Sequence, residues 1–225
     1  MLSGKVLPAK ELTEEQIRTM FGIMQKYFEN IVWDNFVNDL QGKRDAILLY
    51  GVDNKIHGFT TQAIFMHNED TQLIFSGDTI VEQEYWGAND LWQVGSKNAF
   101  NYVRNFKGTT YWLLLSKGYK TYKYLHTFFN HFYPNVDEET PPPAQAIMDK
   151  FGREHYGDKY QNGVIKMGKD YLKEAFAVLD DNKLNNKNNA FFLKKNPNYK
   201  NGDELVCLAE LSLENLKGLG RKMLE

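Results

Sequence analysis

The N-terminal part of the chain has apolar residues at every third or fourth position, which predicts amphipathic helices. The first helix starts after Thr13, whose side chain can cap it together with Gln16, and continues to about Glu29. A second, shorter helix is predicted over residues 33–40 and ends near Gly42. A short strand over residues 5–7 precedes both helices.

The pattern then changes to short apolar runs separated by turn-forming residues, which predicts an antiparallel meander. Its strands cover residues 45–52, 56–66 and 72–81, and its turns lie at 53–55 and 68–70. A helix over 91–105 follows, capped by Asn89 or Asp90. Residues 111–115 are continuously apolar, as in a strand covered on both faces, and residues 119–132 return to helical spacing. The predicted order of elements is therefore α-α-β-β-β-α-β-α.

Three consecutive prolines at 141–143 form the best linker in the chain. We therefore expect a core over residues 1–135 and an extension over residues 136–225 that packs on the core, because its own strands are few. In the extension we predict helices at 144–156 and 170–179, strands at 163–167 and 204–211, and a terminal helix from Ser212. The Asn- and Lys-rich segment 181–189 is predicted to be a mobile loop.

Composition narrows the class of protein. The chain has 225 residues, a net charge of -2 and one cysteine, so it offers no global electrostatic attraction for nucleic acid and no disulfide framework. No apolar run reaches membrane-spanning length, and we expect a soluble cytoplasmic protein. The aromatic share is high, with 15 Phe, 13 Tyr and 4 Trp, which indicates a thick core, a roomy apolar pocket or both.

Four motifs carry a family resemblance: GDTIV at 77–81, YWG at 85–87, YW-LLLSKGYKTY at 111–122 and NP-Y–GDELVCLA at 196–209. With the element order over residues 12–133, they resemble the GNAT N-acyltransferase superfamily, and within it a bacterial group of undefined activity. The resemblance implies a mixed α/β, GNAT-like fold whose core, residues 1–135, binds an acyl donor, while residues 136–225 are a family-specific extension. It also implies transfer of an acyl group from a thioester to an amine.

The resemblance further implies acyl-CoA or a phosphopantetheinyl acyl carrier protein as co-substrate, with no tightly bound cofactor. The turn that holds the CoA pyrophosphate in the superfamily, Arg/Gln-x-x-Gly-x-Gly/Ala, corresponds here to residues 84–89, which assigns donor binding to Trp86, Gly87, Ala88 and Asn89. Gly87 matches the pattern, but its first position is Glu84 and its last is Asn89. Because Glu82 and Glu84 would repel phosphates, an acyl carrier protein with a single phosphodiester is more easily tolerated than CoA.

A second candidate for donor binding is the turn Ser116-Lys117-Gly118, which follows the apolar strand and precedes a helix. Free backbone N–H groups at a helix N-terminus and the lysine charge favour an anion there. Acyl transfer from a thioester has two structural requirements at this end of the sheet. The strands that end at Val81 and Leu115 must diverge to admit a pantetheine arm, and backbone N–H groups must polarise the thioester carbonyl.

Acyl transfer to an amine also needs an acid and a base. The resemblance assigns the acid to Tyr122 or Tyr119, although both can equally be amphipathic wall residues. The carboxylates Glu82 and Glu84 are the candidate bases, with a solvated turn position as the alternative for Glu84. Asp78 is a third candidate, because a carboxylate inside an apolar strand is costly; it is equally a buried structural acceptor.

The remaining residues bear on a possible metal site, on the acceptor and on the alternative functions. The five histidines are scattered, and no His, Cys and carboxylate spacing predicts a metal site. The expected acceptor is an amine-bearing small molecule or peptide, and the aromatic content favours an acyl chain longer than acetyl. Two alternatives stay open: a non-catalytic binding or accessory protein of a biosynthetic pathway, and a thioester hydrolase in which water replaces the amine.

Overall fold

A computed structural model of the chain describes residues 2–87, 89–168, 170–177 and 185–224, and it separates into two compact units. The first unit is drawn from residues 1–27, 31–110 and 222–225, and the second from residues 28–30 and 111–221. The units divide at Thr110 and Tyr111, whereas the predicted division between core and extension lies at residue 135 and stays a prediction.

Helices and strands are mixed in both units, as the sequence predicts for an α/β protein. The described helices are α1 (Glu14–Tyr27), α2 (Trp33–Gln41), α3 (Asp90–Arg104), α4 (Tyr119–Phe128), α5 (Pro142–Tyr156), α6 (Glu174–Ala177), α7 (Lys187–Lys195) and α8 (Gly218–Lys222). The described strands are β1 (Ser3–Pro8), β2 (Phe28–Glu29), β3 (Asp45–Tyr50), β4 (Ile56–Asn68), β5 (Thr71–Val81), β6 (Thr109–Ser116), β7 (Tyr160–Gln161), β8 (Val164–Ile165), β9 (Tyr171–Leu172) and β10 (Glu204–Glu210).

The first unit is built on an antiparallel sheet in the order β1-β3-β4-β5, which confirms the predicted meander and the short strand before it. The start of α1 has the predicted reciprocal cap. The Thr13 N–H donates to Gln16 Oε1 at 2.8 Å, and the Gln16 N–H donates to Thr13 Oγ1 at 3.2 Å. The buried side chains of α1 include Met20 and Met24, as the helical spacing predicts, together with Ile23.

The β4–β5 hairpin contains two irregularities that cancel in register. Near the turn, His67 is an extra residue on β4, and further along Gly77 and Asp78 of β5 oppose the single residue Thr61. One extra residue on each strand restores the original pairing, so Gly58 faces Val81 at the open end of the hairpin. This register decides which side chains meet there.

In the second unit, β6 pairs antiparallel with β10, β10 with β8, and β8 with β7, while β2 and β9 form a separate pair. The strands predicted at 111–115 and 204–211 are confirmed. The helix predicted over 119–132 is too long, because α4 ends at Phe128. Phe129 is extended and forms a bridge with Leu216, and the Asn130 N–H donates to the Asn215 carbonyl.

Three further predictions in the second unit are wrong in part. Residues 171–172 form a strand instead of the start of a helix, since they pair with Phe28 and Glu29, and residues 178–179 lie outside the described part of the chain. The predicted loop at 181–189 gives way to α7, which Asn186 caps through its side chain; residues 181–184 are also outside the description. The terminal helix starts at Gly218, not at Ser212. None of the described helices is long and apolar enough to cross a membrane.

Candidate functional site

The open end of the β4–β5 hairpin places a histidine beside a glutamate. His57 is the second residue of β4, and Glu82 follows the last residue of β5. Because Gly58 pairs with Val81, the next residues outward on the two strands are neighbours, and the Glu82 N–H donates to the His57 carbonyl at 2.8 Å. Strand pairing therefore holds both backbones before any side chain contributes.

The side chains form a short chain of polar contacts within the first unit. His57 Nδ1 lies 2.6 Å from Glu82 Oε2, and His57 Nε2 lies 2.9 Å from Asp53 Oδ1. Glu82 Oε1 is paired with the ammonium of Lys26, which projects from the last turn of α1. The His57 and Glu82 side chains are only 13% and 14% exposed, whereas that of Asp53 is 43% exposed. The polar contacts therefore connect the nearly buried carboxylate of Glu82 with the solvent-accessible carboxylate of Asp53.

These contacts shift the pKa values of all three groups. Burial alone would raise the pKa of Glu82, but hydrogen bonds from Lys26 and His57 outweigh it and lower that pKa. Burial alone would likewise lower the pKa of His57, but the hydrogen bonds to Glu82 and Asp53 outweigh it and raise that pKa. The hydrogen bond to His57 lowers the pKa of Asp53. At neutral pH, Glu82 is therefore an ionised carboxylate next to a readily protonated imidazole.

Glu84 joins the edge of this group. Its Oε1 lies 3.7 Å from His57 Nδ1, and its side chain is 64% exposed, in agreement with the solvated turn position considered for it. One ligand atom each from His57, Glu82 and Glu84 lies within 4.8 Å of the others, a set that a metal ion could use. However, His57 Nδ1 and Glu82 Oε2 contact each other, and Glu82 Oε1 is paired with Lys26. The geometry favours a network of ion pairs over a metal centre.

The predicted phosphate turn is partly described. Trp86 is 42% exposed; its indole N–H donates to the Val81 carbonyl at 2.8 Å, and its backbone N–H donates to Gln83. Gly87 has a φ of 95°, a conformation that favours glycine, and Ala88 lies outside the described residues. Asn89 precedes α3 and makes no side-chain cap bond. The donor-binding role of these residues stays a prediction.

The carboxylate of Asp90 occupies the first turn of α3, where it accepts the Leu2 N–H at 3.2 Å. With Glu84 a few residues earlier, this places two acidic side chains around the predicted phosphate turn. Negative charge at a helix N-terminus competes with a bound anion for the same positive end of the helix dipole. The nature of the acyl donor stays a prediction.

Asp78 lies in the bulge of β5, where two residues oppose Thr61, and it is half-buried. The bulge interrupts the alternation of faces, so an even spacing between Asp78 and Glu82 does not place them on the same side. Both roles considered for Asp78, a base and a structural acceptor, stay predictions.

The turn Ser116-Lys117-Gly118 belongs to the second unit, and its polar groups are engaged there. Ser116 is fully buried, and its hydroxyl donates to the Gly118 carbonyl at 2.9 Å. The Lys117 ammonium is paired with the carboxylate of Asp170 and lies 3.4 Å from that of Glu204. Two carboxylates balance this charge within the protein, so the turn offers less attraction to an anion than its sequence predicts.

The two tyrosines predicted as acids are both buried on α4. Tyr119 is 6% exposed, and Tyr122 is fully buried, with its hydroxyl donating to the Pro134 carbonyl at 2.9 Å. Burial raises the pKa of the Tyr122 phenol further above its usual value. The ring packs against Phe132 and Phe192. These contacts favour the wall role for Tyr122, and its catalytic role stays a prediction without structural support.

Sequence reasoning found Glu82 but missed His57, Asp53 and Lys26. A usable signal exists for His57, because counting outward along both strands from the turn at 68–71 brings residues 57 and 82 opposite each other. That count is correct only because the two bulges cancel. Gly77 inside the β5 strand is a mark of the second bulge, whereas His67 gives no mark of the first. Lys26 reaches Glu82 from 56 residues away, and no local pattern indicates that contact.

Comparisons with known proteins were made by sequence and by structure. No protein-family model matches the chain, and no curated protein matches it. Solved structures that are similar to parts of it include N-acyltransferases. One is a conserved protein of unknown function from Enterococcus faecalis V583, described as a probable N-acyltransferase, with 14% identity and a TM-score of 0.42.

Two others are a GNAT family N-acetyltransferase, YhbS, from Escherichia coli in complex with CoA (13% identity, TM-score 0.38) and an acyl-CoA N-acyltransferase from Pseudomonas aeruginosa (14% identity, TM-score 0.41). The alignments cover 58%, 52% and 57% of this chain, in the same order. They cover 33% of the Enterococcus chain, 64% of the Escherichia chain and 88% of the Pseudomonas chain. The first two matches thus span less than two thirds of the other protein.

Proposed function

We propose that this protein is an N-acyltransferase that moves an acyl group from a thioester to an amine, with Glu82 as the general base. The observation that carries the proposal is the contact of 2.6 Å between Glu82 Oε2 and His57 Nδ1 at the end of the third meander strand. A carboxylate is expected at that position from the family resemblance. Its lowered pKa keeps it ionised at neutral pH, with lone pairs to accept a proton, and makes it a weaker base than an unperturbed glutamate.

In this reaction the amine nitrogen attacks the thioester carbonyl carbon, a C–N bond forms and the C–S bond breaks. Glu82 accepts the proton that the attacking nitrogen loses. The thiol leaves as a thiolate with a pKa of about 8.5 and takes a proton from water, so the step needs no buried acid. The donor is acyl-CoA or an acyl carrier protein, and the acidic surroundings of the phosphate turn support the second of these.

The test is thiol release from a series of acyl-CoA and acyl-carrier thioesters, with and without added amines. We expect release that depends on the amine, and we expect Glu82→Gln to slow it by about 10²–10⁴-fold, the contribution of a positioned base. Glu69→Gln is the matched control, because Glu69 is exposed in the turn at the opposite end of the same hairpin. Equal rates for Glu82→Gln and the native chain would refute the role of Glu82.

The alternatives give different results in the same assay. Thiol release that needs no amine would identify a thioester hydrolase, in which Glu82 accepts a proton from water. Thermal stabilisation by acyl-CoA without any release would identify a binding or accessory protein. The buried hydroxyl of Tyr122 and the paired charge of Lys117 favour this last class over the hydrolase, because they leave two predicted parts of an active site engaged elsewhere.

A further inference from the structure

The ammonium of Lys26 is in contact with the carboxylate that the proposed function uses as its base. Lys26 lies in the last turn of α1, and its Nζ atom pairs with Glu82 Oε1. The other oxygen of Glu82 faces His57. A base must lie within hydrogen-bond reach of the nitrogen whose proton it takes. The Nζ atom of Lys26 therefore occupies a position that the nitrogen of an acceptor amine has to reach.

We propose that Lys26 is itself an acceptor, so that the protein acylates its own Lys26 side chain from a thioester with Glu82 as the base. The inference rests on the proposed function and names one amine that the site can use. The side chain of Lys26 is 59% exposed, whereas that of Glu82 is 14% exposed. A donor in solution can therefore reach the amine, while the carboxylate is largely shielded from water.

Backbone contacts hold the two partners next to each other. The Glu82 N–H donates to the His57 carbonyl at 2.8 Å. The N–H of the next residue, Gln83, donates at 2.6 Å to the hydroxyl of Tyr27, which follows Lys26 in the chain and is 6% exposed. The end of α1 and the segment after β5 are thus tied together directly beside the Lys26–Glu82 pair. Such positioning raises the effective concentration of the amine at the base.

The reaction balances in atoms and charge. Lysine amines are mostly protonated at neutral pH, so the Lys26 ammonium first loses a proton to water. The neutral Nζ then attacks the thioester carbonyl carbon, a C–N bond forms, and Glu82 takes the proton that the attacking nitrogen loses. The C–S bond breaks, and the proton on Glu82 passes through water to the departing thiolate. The products are an amide on Lys26, a free thiol and the restored Glu82 carboxylate.

A lysine of similar exposure provides a reference within the same chain. Lys187 is 63% exposed, and its Nζ pairs with Asp137 Oδ1 at 2.6 Å. The Asp137 side chain is also 63% exposed, so Lys187 has a carboxylate partner but no shielded base. Thioesters acylate exposed lysines slowly without a catalyst, and Lys187 reports the rate of that background reaction.

The test is mass spectrometry of peptides from the native chain after incubation with acetyl-CoA, longer acyl-CoAs and acyl-N-acetylcysteamines, which carry no nucleotide. We expect acylation of Lys26 to be at least about tenfold faster than that of Lys187 with at least one of these donors. In urea, which unfolds the chain, the two lysines should react at the same rate. Equal rates in the folded chain with every donor would overturn the proposal.

Two variants test the base and the acceptor separately. Glu82→Gln keeps an oxygen beside Lys26 but cannot take its proton, so the rate at Lys26 should fall to that at Lys187. Lys26→Arg keeps a positive charge beside Glu82 but removes the amine, so the early mass increase of the intact chain should disappear. An unchanged or higher rate at Lys26 in folded Glu82→Gln would overturn the proposal.

These outcomes separate the inference from the proposed function. Transfer to added amines without excess acylation of Lys26 would overturn the inference and leave the proposed function intact. Acylation of Lys26 that depends on Glu82, without transfer to any added amine, would support the inference and refute transfer to a separate acceptor.

Discussion

Gly51 lies directly against the imidazole of His57. A Cβ atom at position 51 would be 2.7 Å from His57 Cδ2, 2.8 Å from His57 Nε2 and 2.7 Å from Asp53 Oδ1. Carbon atoms in proteins do not approach this closely, so the ring and the carboxylate keep their places only because residue 51 has no side chain.

Gly51→Ala should therefore displace His57 and Asp53 without touching Glu82. We expect kcat for acyl transfer to fall by at least about tenfold, because Glu82 loses its contact with His57, and the free energy of unfolding to fall by about 1–3 kcal/mol from overpacking. Steady-state kinetics and urea unfolding measure the two effects. Gly22→Ala in α1 is the control, because a Cβ there meets nothing within 4 Å. Native kinetics in Gly51→Ala would contradict the placement of His57 in the site.

Tyr122→Phe distinguishes the two roles of the buried phenol. Loss of the Tyr122 hydroxyl leaves the Pro134 carbonyl without this hydrogen-bond donor, so we expect the free energy of unfolding to fall by about 1–2 kcal/mol. The kcat for acyl transfer should change by less than about twofold, since the hydroxyl is sealed from any substrate. A loss of kcat by two orders of magnitude with unchanged stability would instead support Tyr122 as the acid.

Lys117→Met tests whether the charge of the Ser116-Lys117-Gly118 turn is structural. The side chains of Lys117, Asp170 and Glu204 are 17%, 25% and 12% exposed, so removal of the ammonium leaves two poorly solvated carboxylates. We expect a loss of about 3 kcal/mol in the free energy of unfolding.

In Lys117→Met/Asp170→Asn, part of that loss should be recovered, because the second substitution removes one of the two unpaired charges. Lys123→Met, at an exposed position of α4, should cost less than about 0.5 kcal/mol. Weaker binding of the acyl donor by Lys117→Met with no loss of stability would show that Lys117 binds the donor.

His126 should make the second unit sensitive to acid. Its Nε2 atom is buried and has no hydrogen-bond partner among the described residues. Burial lowers its pKa, and the nearby charges of Lys217 and Lys123 lower it further. The unfolded chain therefore binds a proton at this histidine at a higher pH than the folded chain does. The stability that neutral His126 contributes is complete above about pH 6.5 and is lost as pH falls.

The measurement compares the free energy of unfolding of the native chain and His126→Gln at about pH 7.5 and about pH 5.5. The difference should shift in favour of the variant at the lower pH. The contribution of His57 to the pH dependence of stability has the opposite sign, since its raised pKa stabilises the folded chain at low pH. The native chain and His126→Gln both retain His57, so this contribution cancels in the comparison. A difference that does not vary with pH would show that His126 titrates alike in both states.

The sequence predicted the local elements of the first unit well. The reciprocal bonds of Thr13 and Gln16, the turn at 53–55 and the apolar runs of the meander all depend on residues a few positions apart. The errors occur where distant segments decide the structure. Phe129 leaves the helical spacing because Leu216 pairs with it, and Tyr171 is extended because Glu29 lies opposite.

What the amino-acid order determined by itself is therefore the class of the helices and strands of the first unit, together with Glu82 as a candidate base. The tertiary structure alone decided that His57, Asp53 and Lys26 surround that carboxylate, and that the hydroxyl of Tyr122 is sealed by Pro134. The physical reason is that helix caps and turns follow from neighbouring residues, whereas the meeting of side chains across a hairpin depends on strand register, here preserved by two compensating bulges.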